Sequence, residues 1–188
     1  MNELRPAVFL DKDGTLVQDV PYNVDPARIR LSPGATEGLA VLHRAGFLLV
    51  VVSNQPGVAG GLFPESALGA VWARLAKLLA PAPLARCYYC PHGPADACDC
   101  RKPRPGLLLR AARELGIDLG RSWMVGDILN DVEAGRRARC RTVLIDNGNE
   151  TEWVPGPDRE PHYRVRDLAE ATRVIMHERH RKGSLHVR

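Results

Sequence analysis

The chain has 188 residues, 45% of them hydrophobic and 26% charged, with a net charge of +4. That length and balance suit one globular domain with a real core, and no apolar run approaches the roughly 20 residues a membrane span needs. A mild basic excess favours anionic ligands, but it is not the dense Lys/Arg stripe of a nucleic-acid binder, and 5% aromatic content offers few stacking platforms for single strands.

Short apolar runs alternate with amphipathic stretches. Ala7 to Leu10 reads as a buried strand that runs straight into Asp11-Lys12-Asp13-Gly14-Thr15. Carboxylates at i and i+2 followed by Gly make a tight acidic turn. It is not an EF-hand loop: Gly14 stands fourth rather than sixth, and the twelfth position is Tyr22 rather than Glu. Gly34 to Ala45 carries Leu39, Leu42 and Ala45 at helical spacing. Phe47 to Val52 is a second strand, ending in Ser53-Asn54-Gln55, a hydroxyl and two amides suited to an oxyanion. Glu65 to Leu79 puts Leu68, Val71, Trp72, Leu75 and Leu79 on one helical face, and Arg86 to Tyr89 is a third strand.

The third strand leads into Cys90-Pro91-His92-Gly93-Pro94-Ala95-Asp96-Ala97-Cys98-Asp99-Cys100-Arg101-Lys102-Pro103, which packs four soft ligands into eleven residues. Three thiolates and an imidazole suit tetrahedral Zn²⁺ with no open position, hence a structural ion. Both ligand pairs have one-residue spacing, tighter than a finger, so the loop folds around the ion and presents Arg101 and Lys102 rigidly. Met1-Asn2-Glu3-Leu4-Arg5-Pro6 has no signal-peptide character. A cytoplasmic, reducing setting is therefore expected, and zinc is favoured over disulfides. Cys87 and Cys140 lie outside the cluster in apolar surroundings and are expected in the core.

Gly106 to Leu115 is a helix, and Trp123 to Val125 a fourth strand ending in Gly126-Asp127-Ile128-Leu129-Asn130-Asp131. Asn130 to Arg139, the strand Thr142 to Ile145 and the helix Asp167 to Arg179 complete the set, with Pro33, Pro64 and Pro105 at or just before three helix starts. Strands separated by helices imply βαβ crossovers and a parallel sheet covered on both faces. Ligands bind such sheets beyond the carboxyl ends of the strands, which is where the acidic turns, Ser53 and Lys102 all fall. Residues 1–188 are read as a single domain with a core over about 7–178 and a basic tail over 179–188.

The order D-x-D-G-T, S-N-Q, K-P and G-D-x-x-x-D resembles the haloacid dehalogenase superfamily of phosphatases. The loop C-P-H…C-x-C-R-K-P is similar to the subgroup that holds the heptose-bisphosphate and histidinol-phosphate phosphatases. The resemblance runs from Ala7 to about Ile145. It implies an α/β, Rossmann-like three-layer sandwich with a mostly parallel sheet and a zinc-stabilised loop. It also implies hydrolysis of a phosphomonoester through an aspartyl-phosphate. Asp11 would be the nucleophile and Asp13 the general acid and base. Mg²⁺ would be held by the Asp11 carboxylate, the Asp13 carbonyl and Asp127. Ser53 and Lys102 would neutralise the phosphoryl oxygens, while Asp131 would orient Lys102 or a metal-bound water. Zn²⁺ would sit on Cys90, His92, Cys98 and Cys100.

Asp11 and Ser53 are 42 positions apart and Ser53 and Lys102 are 49 apart, which leaves no room for a cap domain. Specificity then falls to loops, and Asp19, Tyr22, Asn54, Gln55 and Arg101 are the expected substrate-binding residues. Asp19 and Tyr22 match the heptose group's substrate loop. The expected substrate is thus a small phosphorylated sugar, the 7-phosphate of D-glycero-D-manno-heptose 1,7-bisphosphate, acted on by a monomer with no nucleic-acid or membrane partner. Two places depart from the heptose group. Pro56 and Gly60 stand where it has Ser and Arg, and Ile128 stands where some relatives have Lys, so fewer cations face a second phosphate. The alternatives are a histidinol-phosphate phosphatase, a polynucleotide 3′-phosphatase and a non-catalytic binding module.

Overall fold

The computed structural model describes residues 3–151 and 153–184. Six strands, β1 (Ala7–Leu10), β2 (Leu48–Asn54), β3 (Arg86–Cys90), β4 (Trp123–Gly126), β5 (Arg141–Ile145) and β6 (Tyr163–Val165), form one sheet in the order β3-β2-β1-β4-β5-β6. Every pairing is parallel. Chain order reverses across β1, so β1 and β4 flank the crevice where the two halves of the sheet diverge. Five helices cover the faces: α1 (Ala35–Arg44), α2 (Leu68–Leu78), α3 (Gly106–Leu115), α4 (Leu129–Arg137) and α5 (Leu168–Ser184).

The period of two in β1 sorts the core into its two layers. Val8 and Leu10 point with Leu49, Val51, Val125 and Val143 to the side of α1, α2 and α5, against Leu39, Leu75 and Ile175. Ala7 and Phe9 point with Val50, Val52 and Met124 to the side of α3 and α4, against Leu107, Leu108 and Ala134. All four side chains of β1 are fully buried. That explains its unbroken apolar run, because a central parallel strand has no solvent face.

The expected three-layer α/β architecture holds, with differences at the margins. The sheet is wholly rather than mostly parallel and has a sixth strand. β6 escaped notice because Tyr163-Arg164-Val165 carries a charge at its centre, and pairing with β5 is what makes it a strand. A 3-10 turn, Glu65–Ala67, takes the start predicted for α2, which begins only at Leu68. α5 continues past Arg179 to Ser184, so the first part of the expected tail is helix, and 185–188 lie outside the described residues. Cys140 is buried as expected, but Cys87 is only half-buried because β3 is an edge strand. No domain interrupts the connections from β1 to β3.

Candidate active site

Five strands deliver polar residues to one edge of the sheet. After β1 the chain turns sharply through Lys12-Asp13-Gly14, with Gly14 at φ 80°. A side chain there is barred twice, by the left-handed backbone and by the space, since a Cβ would fall 2.1 Å from Asp127 Oδ2 and 2.4 Å from Asn149 Nδ2. At the end of β4, Gly126 does the matching service. A Cβ on it would lie 2.2 Å from the Cβ of Asp131, so only glycine lets the Asp131 side chain lie across the strand end. These two clearances pack Asp127 and Asp131 against the first turn.

The centre is fully buried Lys102, whose Nζ donates to the Val52 carbonyl at 2.9 Å and to Asp11 Oδ1 at 2.5 Å. It also lies 2.6 Å from Asp131 Oδ1, in an ion pair off the line of a directed hydrogen bond. Burial alone would lower the Lys102 pKa, but Asp11 and Asp131 outweigh it and raise it, so the residue is a fixed cation. The Asn54 amide grips the Lys102 backbone in both directions, Nδ2 to the carbonyl at 3.1 Å and Oδ1 from the N–H at 3.0 Å. Gln55 Nε2 donates to the buried Ser53 hydroxyl at 2.8 Å and to Asp13 Oδ2 at 3.1 Å. Asn54 and Gln55, expected to touch substrate, are thus engaged with the catalytic candidates themselves.

Asp11, Asp127 and Asp131 are all buried and bring carboxylate oxygens within 4.8 Å of one another. Burial, then Asp11 and Asp131, push the Asp127 carboxyl up to about 7, and burial pushes Asp131 up to about 6 against the pull of Lys102. Three carboxylates around one ammonium leave an excess of negative charge in a low-dielectric site, and oxygen donors of this kind fit Mg²⁺. Asp13 is also raised, by burial first and then by Asp11, against the opposing ammonium of Lys12 at 2.7 Å.

The second cluster is the loop after β3. Cys90 Sγ and Cys98 Sγ are 3.6 Å apart, and His92 Nδ1 lies 3.5 Å from Cys90 Sγ and 3.3 Å from Cys100 Sγ. A tetrahedron with Zn–S near 2.3 Å and Zn–N near 2.0–2.1 Å has edges of about 3.8 and about 3.6 Å. These three separations lie close to those edges, so the cluster could hold a zinc ion, with Nδ1 as the imidazole donor. Backbone bonds tie the loop to the turn after β2: Gln55 N–H to Cys90 O at 2.8 Å and Ala59 N–H to Pro91 O at 3.1 Å. Burial pushes the Cys90 thiol up to about 12, so a thiolate there needs a cation beside it.

The substrate candidates divide. Tyr22 is 58% exposed with φ 55°, and its ring lies against Gly57, which joins the first loop to the turn after β2. Asp19 is exposed in the same loop. Arg101 donates from Nη1 to the His92 carbonyl at 3.3 Å, which keeps it on the zinc loop. The sequence reading missed Thr15, Asn147 and Asn149 as site residues. Thr15 Oγ1 donates to Asp127 Oδ1 at 3.0 Å, and Asn149 Nδ2 donates to Asp127 Oδ2 at 2.7 Å. The signal was available, because Asn147-Gly148-Asn149 follows β5 at the same sheet edge as the other motifs.

The family model described as HAD-hydrolase-like matches residues 99–171. The chain is 35% identical over 175 residues to the D-glycero-beta-D-manno-heptose-1,7-bisphosphate 7-phosphatase of Pseudomonas aeruginosa, covering 92% of this chain and 98% of the relative. It is 38% identical over 167 residues to the enzyme of the same name from Escherichia coli strain K12, covering 79% and 87%. Among solved structures, the D,D-heptose 1,7-bisphosphate phosphatase from B. bronchiseptica, complexed with magnesium and phosphate, superposes with a TM-score of 0.82. The identity is 32%, with 92% of this chain and 99% of that one covered.

Proposed function

The chain belongs to the heptose-1,7-bisphosphate phosphatase family of HAD-like hydrolases, and from that membership we propose that it removes the 7-phosphate of D-glycero-beta-D-manno-heptose 1,7-bisphosphate. The observation that carries the reading is the meeting of Asp11, Asp127 and Asp131 around Lys102, beside Asp13, with Asp11 and Asp131 120 positions apart in the chain. A phosphatase needs a buried nucleophile, a neighbouring acid and a cationic cradle in one place, and this edge supplies them.

In the proposed reaction an Asp11 oxygen attacks phosphorus while the bond from phosphorus to the sugar oxygen breaks. Asp13 gives its proton to the departing alkoxide. Its raised pKa suits the acid role, and the aspartate so formed then takes a proton from water. That water attacks the aspartyl-phosphate, the bond to Asp11 breaks, and inorganic phosphate leaves. Ser53 and Lys102 hold the phosphoryl oxygens, with Lys102 fixed by Asp131. Mg²⁺, held by the Asp11 and Asp127 carboxylates and the Asp13 carbonyl, would supply the positive charge that lets a carboxylate and a phosphate approach. Zn²⁺ on Cys90, His92, Cys98 and Cys100 would keep the segment leading to Lys102 rigid. Asp19, Tyr22 and Arg101 would line the sugar side.

A panel of phosphomonoesters assayed with Mg²⁺ tests this. It holds both anomers of the heptose bisphosphate, histidinol phosphate and a 3′-phosphorylated oligonucleotide. The expected result is the highest kcat/KM for one heptose-bisphosphate anomer. A higher value for histidinol phosphate or the oligonucleotide would overturn the substrate while leaving the phosphatase.

A further inference from the structure

We infer that Asn149 is a positioning residue of the cation site, holding the Asp127 carboxylate in the orientation that binds metal. The inference rests on the reading of Asp127 as a metal ligand and adds a residue outside the four motifs to it. Asp127 receives one donor on each oxygen, the Thr15 hydroxyl on Oδ1 at 3.0 Å and the Asn149 amide on Oδ2 at 2.7 Å. A carboxylate oxygen only accepts, so the amide must turn its nitrogen inward. Two donors from separate segments fix the plane of the carboxylate and leave each oxygen a free lone pair. The Asp11 and Asp131 carboxylates lie within 4.8 Å and repel Asp127, so without its donors the group would rotate away from the shared centre.

Asn149 is itself held in place. Its N–H donates to Asn147 Oδ1 at 3.1 Å, and Asn147 Nδ2 donates to the Gly14 carbonyl at 2.7 Å. Next along the chain, Glu150 Oε2 accepts from the Leu129 N–H at 2.7 Å, at the start of α4. Residues 147–150 therefore form a strap from the end of β5 to both the first acidic turn and the start of the helix that carries Asp131. Asn149 is exposed and belongs to no core cluster, so its side chain has little packing to lose. Hydrogen-bond partners of metal ligands typically cost about 10–100-fold in affinity when removed.

The test is Mn²⁺ binding to the full-length protein, followed by the electron paramagnetic resonance of the free ion, alongside the Mg²⁺ activation constant. Wild type is compared with Asn149→Ala, Asn149→Asp and Asp127→Asn. Asn149→Ala is expected to weaken Mn²⁺ binding and raise the Mg²⁺ activation constant about tenfold, with a smaller fall in kcat at saturating Mg²⁺ and a wild-type melting temperature. Asn149→Asp has the same size and shape but sets a like charge against Oδ2, and it is expected to bind no better than the alanine variant. Wild-type affinity in both Asn149 variants would overturn the inference. A fall in melting temperature in place of the affinity change would overturn it too, assigning Asn149 to the fold. Wild-type affinity in Asp127→Asn would instead overturn the metal-ligand reading beneath it.

Discussion

Asp11 and Asp13 are two residues apart, yet their surroundings suit them to different tasks in the proposed reaction. Asp11 accepts from the fixed ammonium of Lys102 at the centre of the cluster, which holds its carboxylate in one orientation and suits a nucleophile. Asp13 has a raised pKa and stands at the edge of the cluster, which suits proton transfer. Asp11→Asn is therefore expected to abolish turnover with the fold intact, since an amide cannot attack phosphorus, and Asp13→Asn to lose about 10²–10⁴-fold in kcat. Steady-state assays beside circular dichroism check both, and more than a few per cent activity in Asp11→Asn would exclude the covalent route. Gly126 gives a subtler case. The Cβ in Gly126→Ala must displace the Asp131 side chain, which loosens the partner that fixes Lys102. Overpacking of this kind costs about 1–3 kcal/mol and a misplacement near 1 Å about 10²-fold in rate, so urea unfolding and kcat should fall together.

At the scale of elements, the loop after β3 and the helix α5 each depend on one local device. Cys98→Ser removes one of the four proposed zinc donors from a loop that backbone bonds tie to the turn after β2. It should lower both the melting temperature and the zinc content, because binding and loop folding are coupled, and reduce kcat although Cys98 touches no substrate. Wild-type melting with full zinc would contradict the scaffold role. α5 is clamped to β5 by Glu178, whose Oε2 accepts from Arg141 at 2.6 Å. That bond, with help from Tyr163, holds the Glu178 carboxyl down to about 2, below its ordinary 4.5. A folded-state pKa lowered in this way adds stability above pH 4.5 that fades as the pH falls towards 2. Urea unfolding should show Glu178→Gln less stable than wild type at pH 7, with the gap narrowing at pH 3. These elements also mark how far the sequence could be read. β1 and β2 declare themselves because both their faces are buried. β6 is three residues around an exposed arginine and owes its existence to β5. The zinc loop and the acidic turns were legible as local patterns. The strap at Asn147 and Asn149 was not, since two asparagines around a glycine say only "turn" until the fold sets them beside Gly14 and Asp127.

Across the whole molecule the sheet explains why the site was largely legible in spite of its dispersal. Parallel strands all end at one edge, so any residue just after a strand becomes a neighbour of the others, whatever its position in the chain. The same topology separates the two candidate metal sites in a second respect, the order in which they can form. The candidate zinc donors all lie between Cys90 and Cys100, so closing that loop costs little chain entropy and joins no distant segments of the chain. The carboxylate site joins Asp11 to Asp127, and Thr15 bonds Asp127 across 112 residues, a closure that only the assembled β1–β4 pair can enforce. If the cluster holds an ion, a nascent chain is expected to acquire it before folding is complete, whereas the oxygen site has no precursor. Reduced full-length protein in urea is expected to take up Co²⁺ with the absorption of thiolate coordination while binding no Mn²⁺. Mn²⁺ binding should appear only as the urea is diluted and the sheet closes. Cobalt uptake confined to the refolded protein would mean that the loop, too, waits for the fold.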